Sequence, residues 1–172
     1  MIGYSTARDV MHVPVPVVSA RDSFSRALTM LLRHDIGCII VPPEGLWPDY
    51  GIVTKHDLLS RLNARRRDPW HLRVADMMTA PIERVEPDTP LSMCARLMVD
   101  REISNLPVFE HGQPVGILGA AQVFGALEER GWGSEVVPAL RRSARARVAR
   151  RLQPFVPNPD VLVDTILAEL ER

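Results

Sequence analysis

Cysteine is scarce in this 172-residue chain: Cys38 and Cys94 stand alone, each in apolar surroundings and neither in a CxxC pair. That excludes the common redox and zinc spacings and leaves two reduced core thiols as the expectation. Histidine offers no metal site either, since His12, His34, His56, His71 and His111 show no HxxxH spacing. Net charge is missing too. The 21 basic and 21 acidic residues cancel, so no overall field draws the molecule to nucleic acid or an anionic membrane. No stretch approaches the roughly 18 to 20 consecutive apolar residues of a membrane span, and Met1 to Thr6 carry neither the basic nor the apolar region of a signal peptide. The expectation is a cytoplasmic protein with no membrane partner. Lysine occurs once, at Lys55, and every other basic side chain except histidine is arginine, which weakens any argument from arginine clusters. No nucleophile lies beside a local base, so catalysis is not expected.

What the chain has is 46% hydrophobic residues, enough for a substantial core, and one pattern written twice. Asp9-Val10-Met11, then Phe24, Ala27, Leu28 and Leu31, then Ile36 to Val41 are followed in the same order by Asp76-Met77-Met78, then Leu91, Cys94, Ala95 and Met98, then Ile103 to Val108. From Asp9 to Asp76, from Leu31 to Met98 and from Ile36 to Ile103 the interval is 67 residues each time. From Gly51 to Gly116 it is 65, so the first copy carries two extra residues between its strands. Duplication at this scale predicts two similar units meeting across a pseudo-symmetric cleft.

Within each copy the order reads as a short leading strand, a helix, two strands and a second helix. Asp22 is the predicted N-cap of the first helix, with Thr89 and then Pro90 at the first helical position in the second copy. Strands are predicted over 36–41, 51–53, 103–109 and 115–118, and second helices near 55–66 and 120–130. Asp9 and Asp76 read as caps or turn residues. Pro69 marks the crossover between copies. The predicted class is α/β (α+β): two βαββα units in pseudo-twofold symmetry over 1–67 and 68–131, with a mainly helical, Arg-rich extension over 132–172. In that extension Arg141, Arg142, Arg145, Arg147, Arg150 and Arg151 point several ways on a helix. A last helix from Asp160 carries Leu162, Val163, Ile166, Leu167 and Leu170 on one side, suited to docking across a dimer or on a client protein.

These residues resemble a tandem pair of CBS (cystathionine beta-synthase) domains, the Bateman module. The resemblance rests on the Asp-Val-Met and Asp-Met-Met-Thr openings, the Ile103-Ser104-Asn105-Leu106-Pro107-Val108 strand, and Gly51-Ile52-Val53-Thr54-Lys55-His56-Asp57-Leu58, which fits the Gly-hydrophobic-hydrophobic-Thr-x-x-Asp signature. It covers about residues 5 to 130. It implies no required cofactor, an adenosine-containing regulatory ligand such as AMP, ADP, ATP or S-adenosylmethionine, and homodimers forming a flat disc.

The resemblance assigns ligand contact to Thr54 and Asp57. The chemistry agrees: Thr54 at a strand end and helix start suits phosphate, and the Asp57 carboxylate can accept two hydrogen bonds from a ribose diol. Met11, Val13, Gly37, Cys38 and Ile39 are expected to line the base pocket, and His56, inside the signature, is a ligand residue that could reach phosphate oxygens. The same spacing also reads as a capping box, in which Asp57 reaches back to the cap N–H, and both can hold at once. The equivalent stretch, Gly119-Ala120-Ala121-Gln122, lacks hydroxyl and carboxylate. Thr79, Ser104, Asn105, Pro107 and Gln122 therefore form a weaker second site, short of a charged acceptor by about 1.5–3 kcal/mol. Arg33, His34 and Arg101, at or just after the ends of the two first helices, are the phosphate candidates. The expectation is one competent site in a regulatory protein that is not an enzyme. The alternative is a ligand-free dimerisation platform whose Arg-rich tail contacts a client protein, with nucleic acid the less favoured partner.

Overall fold

The structure, a computed structural model, describes residues 6–33, 37–57 and 71–130. The predicted helix beyond residue 57, the crossover at Pro69, His34 and the whole 132–172 extension lie outside the described residues. The first copy supplies α1 (Ala7–Val10), α2 (Phe24–Arg33), β1 (Cys38–Val41) and β2 (Gly51–Thr54). The second supplies α3 (Val74–Met77), α4 (Leu91–Arg101), β3 (Asn105–Glu110), β4 (Gln113–Gly119) and α5 (Ala120–Arg130).

The helical faces follow the apolar spacing. Phe24, Ala27 and Leu31 of α2 are fully buried, as are Leu91, Cys94, Ala95 and Met98 of α4, because positions three and four apart share one side of a helix. The caps differ slightly from expectation. Asp22 instead accepts the Ser19 N–H at 3.2 Å, stabilising the turn before α2, and Pro90 is itself the N-cap of α4, whose first residue is Leu91. Each copy forms an antiparallel hairpin, β1 with β2 and β3 with β4. His111 and Gly112, both at positive φ, close the second hairpin between paired Glu110 and Gln113, the geometry a two-residue turn needs to match strand twist.

The leading strand of each copy is replaced by a helical turn followed by extended chain. Asp9 and Asp76 hold these turns, each carboxylate accepting the N–H three residues before it, from Thr6 at 2.8 Å and Arg73 at 2.9 Å. The extended segments then run parallel to each copy's own sheet, at Val17 beside Ile40 and Val85 beside Val108.

Before reaching its own sheet, each leading segment crosses to the other copy. Ala7, Val10 and Met11 belong to the core of the second copy, with Leu91, Leu106 and Leu118. Leu72, Val74 and Met77 belong to the core of the first, with Phe24, Ile39 and Val53. His12 pairs with Ile117 and Thr79 with Ile52. The glycine that opens each signature makes room for the exchange: a Cβ at Gly51 would meet Met78 Sδ at 2.6 Å, and one at Gly116 would run into Met11 Sδ. Cys38, Ile40, Ile52 and Ile117 form a third cluster between the copies, flanked by Tyr50 edge-on to Phe109 at 4.9 Å.

Candidate functional site

Strand β2 ends at Thr54, and residues 55–57 open a helix. The Thr54 N–H and hydroxyl donate to Asp57 Oδ2 at 2.9 and 2.8 Å, and the Asp57 N–H donates to Thr54 Oγ1 at 3.2 Å. This is the reciprocal capping box. Asp57 is also only 8% exposed, the one charged residue in the buried set among the described residues. The Thr79 hydroxyl, from the other copy, donates to its Oδ1 at 3.4 Å. A carboxylate tolerates such burial when its oxygens accept hydrogen bonds.

Asp57 lines a cavity of about 310 Å³ between the copies. Ile52, Thr54 and His56 lie there with it, but the rest of the wall comes from the second copy, including Thr79, Ser104, Asn105 and Pro107, with Glu83 and Glu102. A second cavity, of about 550 Å³, has Val13, Gly37 and Cys38 opposite Gln122, together with His12 and Lys55. The expected grouping is thus corrected. Met11, Val13, Gly37, Cys38 and Ile39 do not surround Asp57, and Thr79, Ser104 and Pro107 do. The reason is the exchange of leading segments, which pairs each signature with the opening of the opposite copy. A third lobe of about 300 Å³ includes Lys55, His56, Ser104 and Gln122 and shares residues with both cavities, so the three form one continuous cleft.

Two expected pocket residues line none of these lobes. Ile39 is fully buried in the first core, because its side chain leaves the strand on the face opposite Cys38 and Ile40. Met11 covers Gly116. Of the phosphate candidates, Arg33 is exposed at the end of α2 and outside the cleft lobes. Arg101 pairs with Glu83 at 3.3 Å, and His34 lies outside the described residues. Gln122 folds back like Asp57: a Cβ at Gly119 would meet its Oε1, and its amide nitrogen approaches His12 Nε2 at 3.3 Å. Burial pushes the Cys38 thiol up to about 12 and Cys94 up to about 11, so both are neutral core groups. Glu83, His12 and Lys55 were not singled out from sequence. The 67-residue register could have flagged His12, as the counterpart of Thr79, but the crossing that puts it near Gln122 is not encoded locally.

Two units of one pattern, joined through exchanged openings around a shared cleft, are matched by the CBS domain profile at residues 7–64 and 74–129. The chain belongs to the CBS domain family. Its arrangement is that of a tandem CBS pair, the Bateman module. It is 27% identical over 114 residues to the CBS domain-containing protein YhcV of Bacillus subtilis, covering 66% of this chain and 79% of that one. A hexameric CBS-CP12 protein from bloom-forming cyanobacteria shares the fold with a TM-score of 0.69 at 21% identity, covering 97% of both chains. The CBS domain pair of protein MJ0100, in complex with 5′-methylthioadenosine and S-adenosyl-L-methionine, superposes with a TM-score of 0.63 at 19% identity, over 74% of this chain and 98% of that one. Among the described residues no helix is long and apolar enough to cross a membrane.

Proposed function

We propose that this CBS pair is a non-catalytic regulatory module that binds an adenosine-containing ligand beside Asp57 and signals its occupancy to a partner. The observation that carries the reading is a nearly buried carboxylate on the wall of a cavity of about 310 Å³ between the copies, within the usual size range of small-molecule sites. The Thr79 hydrogen bond to Asp57 is longer than the two from Thr54, hence weaker than they are, and ribose hydroxyls replace it at Oδ1. Ile52, Ile82 and Pro107 supply apolar wall for a base, while Ser104 and Asn105 supply polar contacts. The MJ0100 complex with two adenosyl compounds supports the ligand class.

A ligand touching both copies favours the relative orientation it fits best and shifts the population toward it. The proposed assembly is a homodimeric disc, with the 132–172 extension as the route to a client protein. The test is thermal unfolding with S-adenosylmethionine, 5′-methylthioadenosine, AMP, ADP and ATP. At a hundredfold excess over Kd, binding adds about 2.7 kcal/mol, or roughly 5–10 °C for a chain of this size. Asp57→Asn keeps the shape and loses most of the gain given by S-adenosylmethionine or 5′-methylthioadenosine. No shift with any of the five compounds leaves Asp57 as a helix cap and favours the ligand-free platform, and an undiminished shift of S-adenosylmethionine in the variant puts its binding away from Asp57.

A further inference from the structure

The two large lobes have the same scaffold and opposite charge. The lobe at Thr54 is lined by Asp57, Glu83 and Glu102, with His56 as the basic side chain on its wall among the described residues. Arg101, the nearby guanidinium, is engaged by Glu83. The lobe at Gln122 is lined by Lys55 and His12 and, among the described residues, by no carboxylate. The duplication makes the difference position by position. At the 67-residue interval Glu83 corresponds to Pro16 and Thr79 to His12, and at the 65-residue interval Asp57 corresponds to Gln122. Glu102 corresponds to Asp35, which lies outside the described residues. The single lysine of the chain lies on the first copy's signature, yet it lines the lobe opposite the one that Asp57 lines.

We infer that the cleft sorts adenosyl ligands by the charge of the group at the 5′ position. The lobe at Asp57 takes a neutral thioether or a cationic sulfonium, and the lobe at Lys55 and His12 takes a phosphate. This deepens the adenosyl reading and rests on it. A phosphate chain brought beside Asp57, Glu83 and Glu102 meets like charge, and unpaired like charges discriminate against a ligand as new contacts discriminate for one. The sulfonium gains from the same carboxylates and is repelled by Lys55. The two compounds therefore occupy the chain together.

The experiment is calorimetric titration of the full chain with S-adenosylmethionine and with AMP, each alone and each after saturation with the other. The expected result is independent binding, one site for each compound, with AMP affinity falling as salt rises and S-adenosylmethionine affinity not rising with it. Lys55→Gln weakens AMP by about fivefold, the scale of one partly exposed charge, and leaves S-adenosylmethionine unchanged or tighter. Glu83→Gln, which releases Arg101 as well, weakens S-adenosylmethionine and opens its lobe to AMP. Competition between the compounds for one site, or equal responses of both to Lys55→Gln, overturns the sorting while leaving adenosyl binding intact. Absence of heat and of thermal shift with every probe overturns both. Variants are compared at matched helical content by circular dichroism, so a misfolded chain is not read as a lost site.

Discussion

The lobe beside Asp57 and the lobe beside Gln122 descend from one pattern, and what separates them is side-chain chemistry on a common backbone. In the first, a carboxylate closes a capping box and receives a hydroxyl from the opposite copy. In the second, an amide folds over a glycine and meets an imidazole from the opposite copy. A helix start can be capped by either group, so the fold is indifferent to the exchange, whereas a ligand is not. Duplication followed by such swaps lets one scaffold present two different surfaces to small molecules.

The comparison can be broken first at the cores. Ile39 and its counterpart Leu106, 67 residues later, are both fully buried, one in each core. Ile39→Ala and Leu106→Ala are each expected to cost about 2–5 kcal/mol in urea unfolding. Because α1 and α3 are exchanged between the cores, both variants should still unfold in one transition, seen together by fluorescence and circular dichroism. Two separated transitions would mean that the halves are independent.

A smaller effect sharpens the comparison at the crossing points. Gly116→Ala should destabilise more than Gly51→Ala, within about 1–3 kcal/mol for overpacking. The new methyl runs into Met11 Sδ, with Met11 Cγ at 2.8 and Cβ at 3.0 Å, in the first case and meets Met78 Sδ, Cγ and Cβ at 2.6, 3.3 and 3.4 Å in the second. Equal costs would show that both methionines swing aside with the same ease.

The smallest difference lies at the caps. Asp57→Ala removes a charged acceptor bonded to the Thr54 N–H and hydroxyl and should cost about 1–2 kcal/mol. Gln122→Ala, at an exposed residue, should cost no more than about 0.5 kcal/mol. Melting temperatures without ligand decide it, and similar losses would erase the distinction between the two lobes.

The helices with an apolar side and the two pairs of strands were legible because each depends on residues close in sequence. So were Asp9 and Asp76, whose carboxylates serve N–H groups three residues away. The capping box at Thr54 and Asp57 was legible for the same reason, while its use by a ligand was left open. Ile39 was misplaced because strand alternation assigns its side chain a face only once the neighbouring layer is known. The leading segments, expected as strands, became helical turns closed by an aspartate cap.

By itself, the sequence determined that there are two copies, which faces of their helices are apolar, and where each helix is held. Those properties follow from periodicity and short-range hydrogen bonding. Only the tertiary structure decided which copy each opening segment joins, and therefore that Asp57 faces Thr79 and Glu83 while Gln122 faces His12 on a wall shared with Lys55. An opening segment can bury its apolar residues against either of two similar cores, and the choice rests on contacts between residues far apart in sequence, which no local pattern encodes.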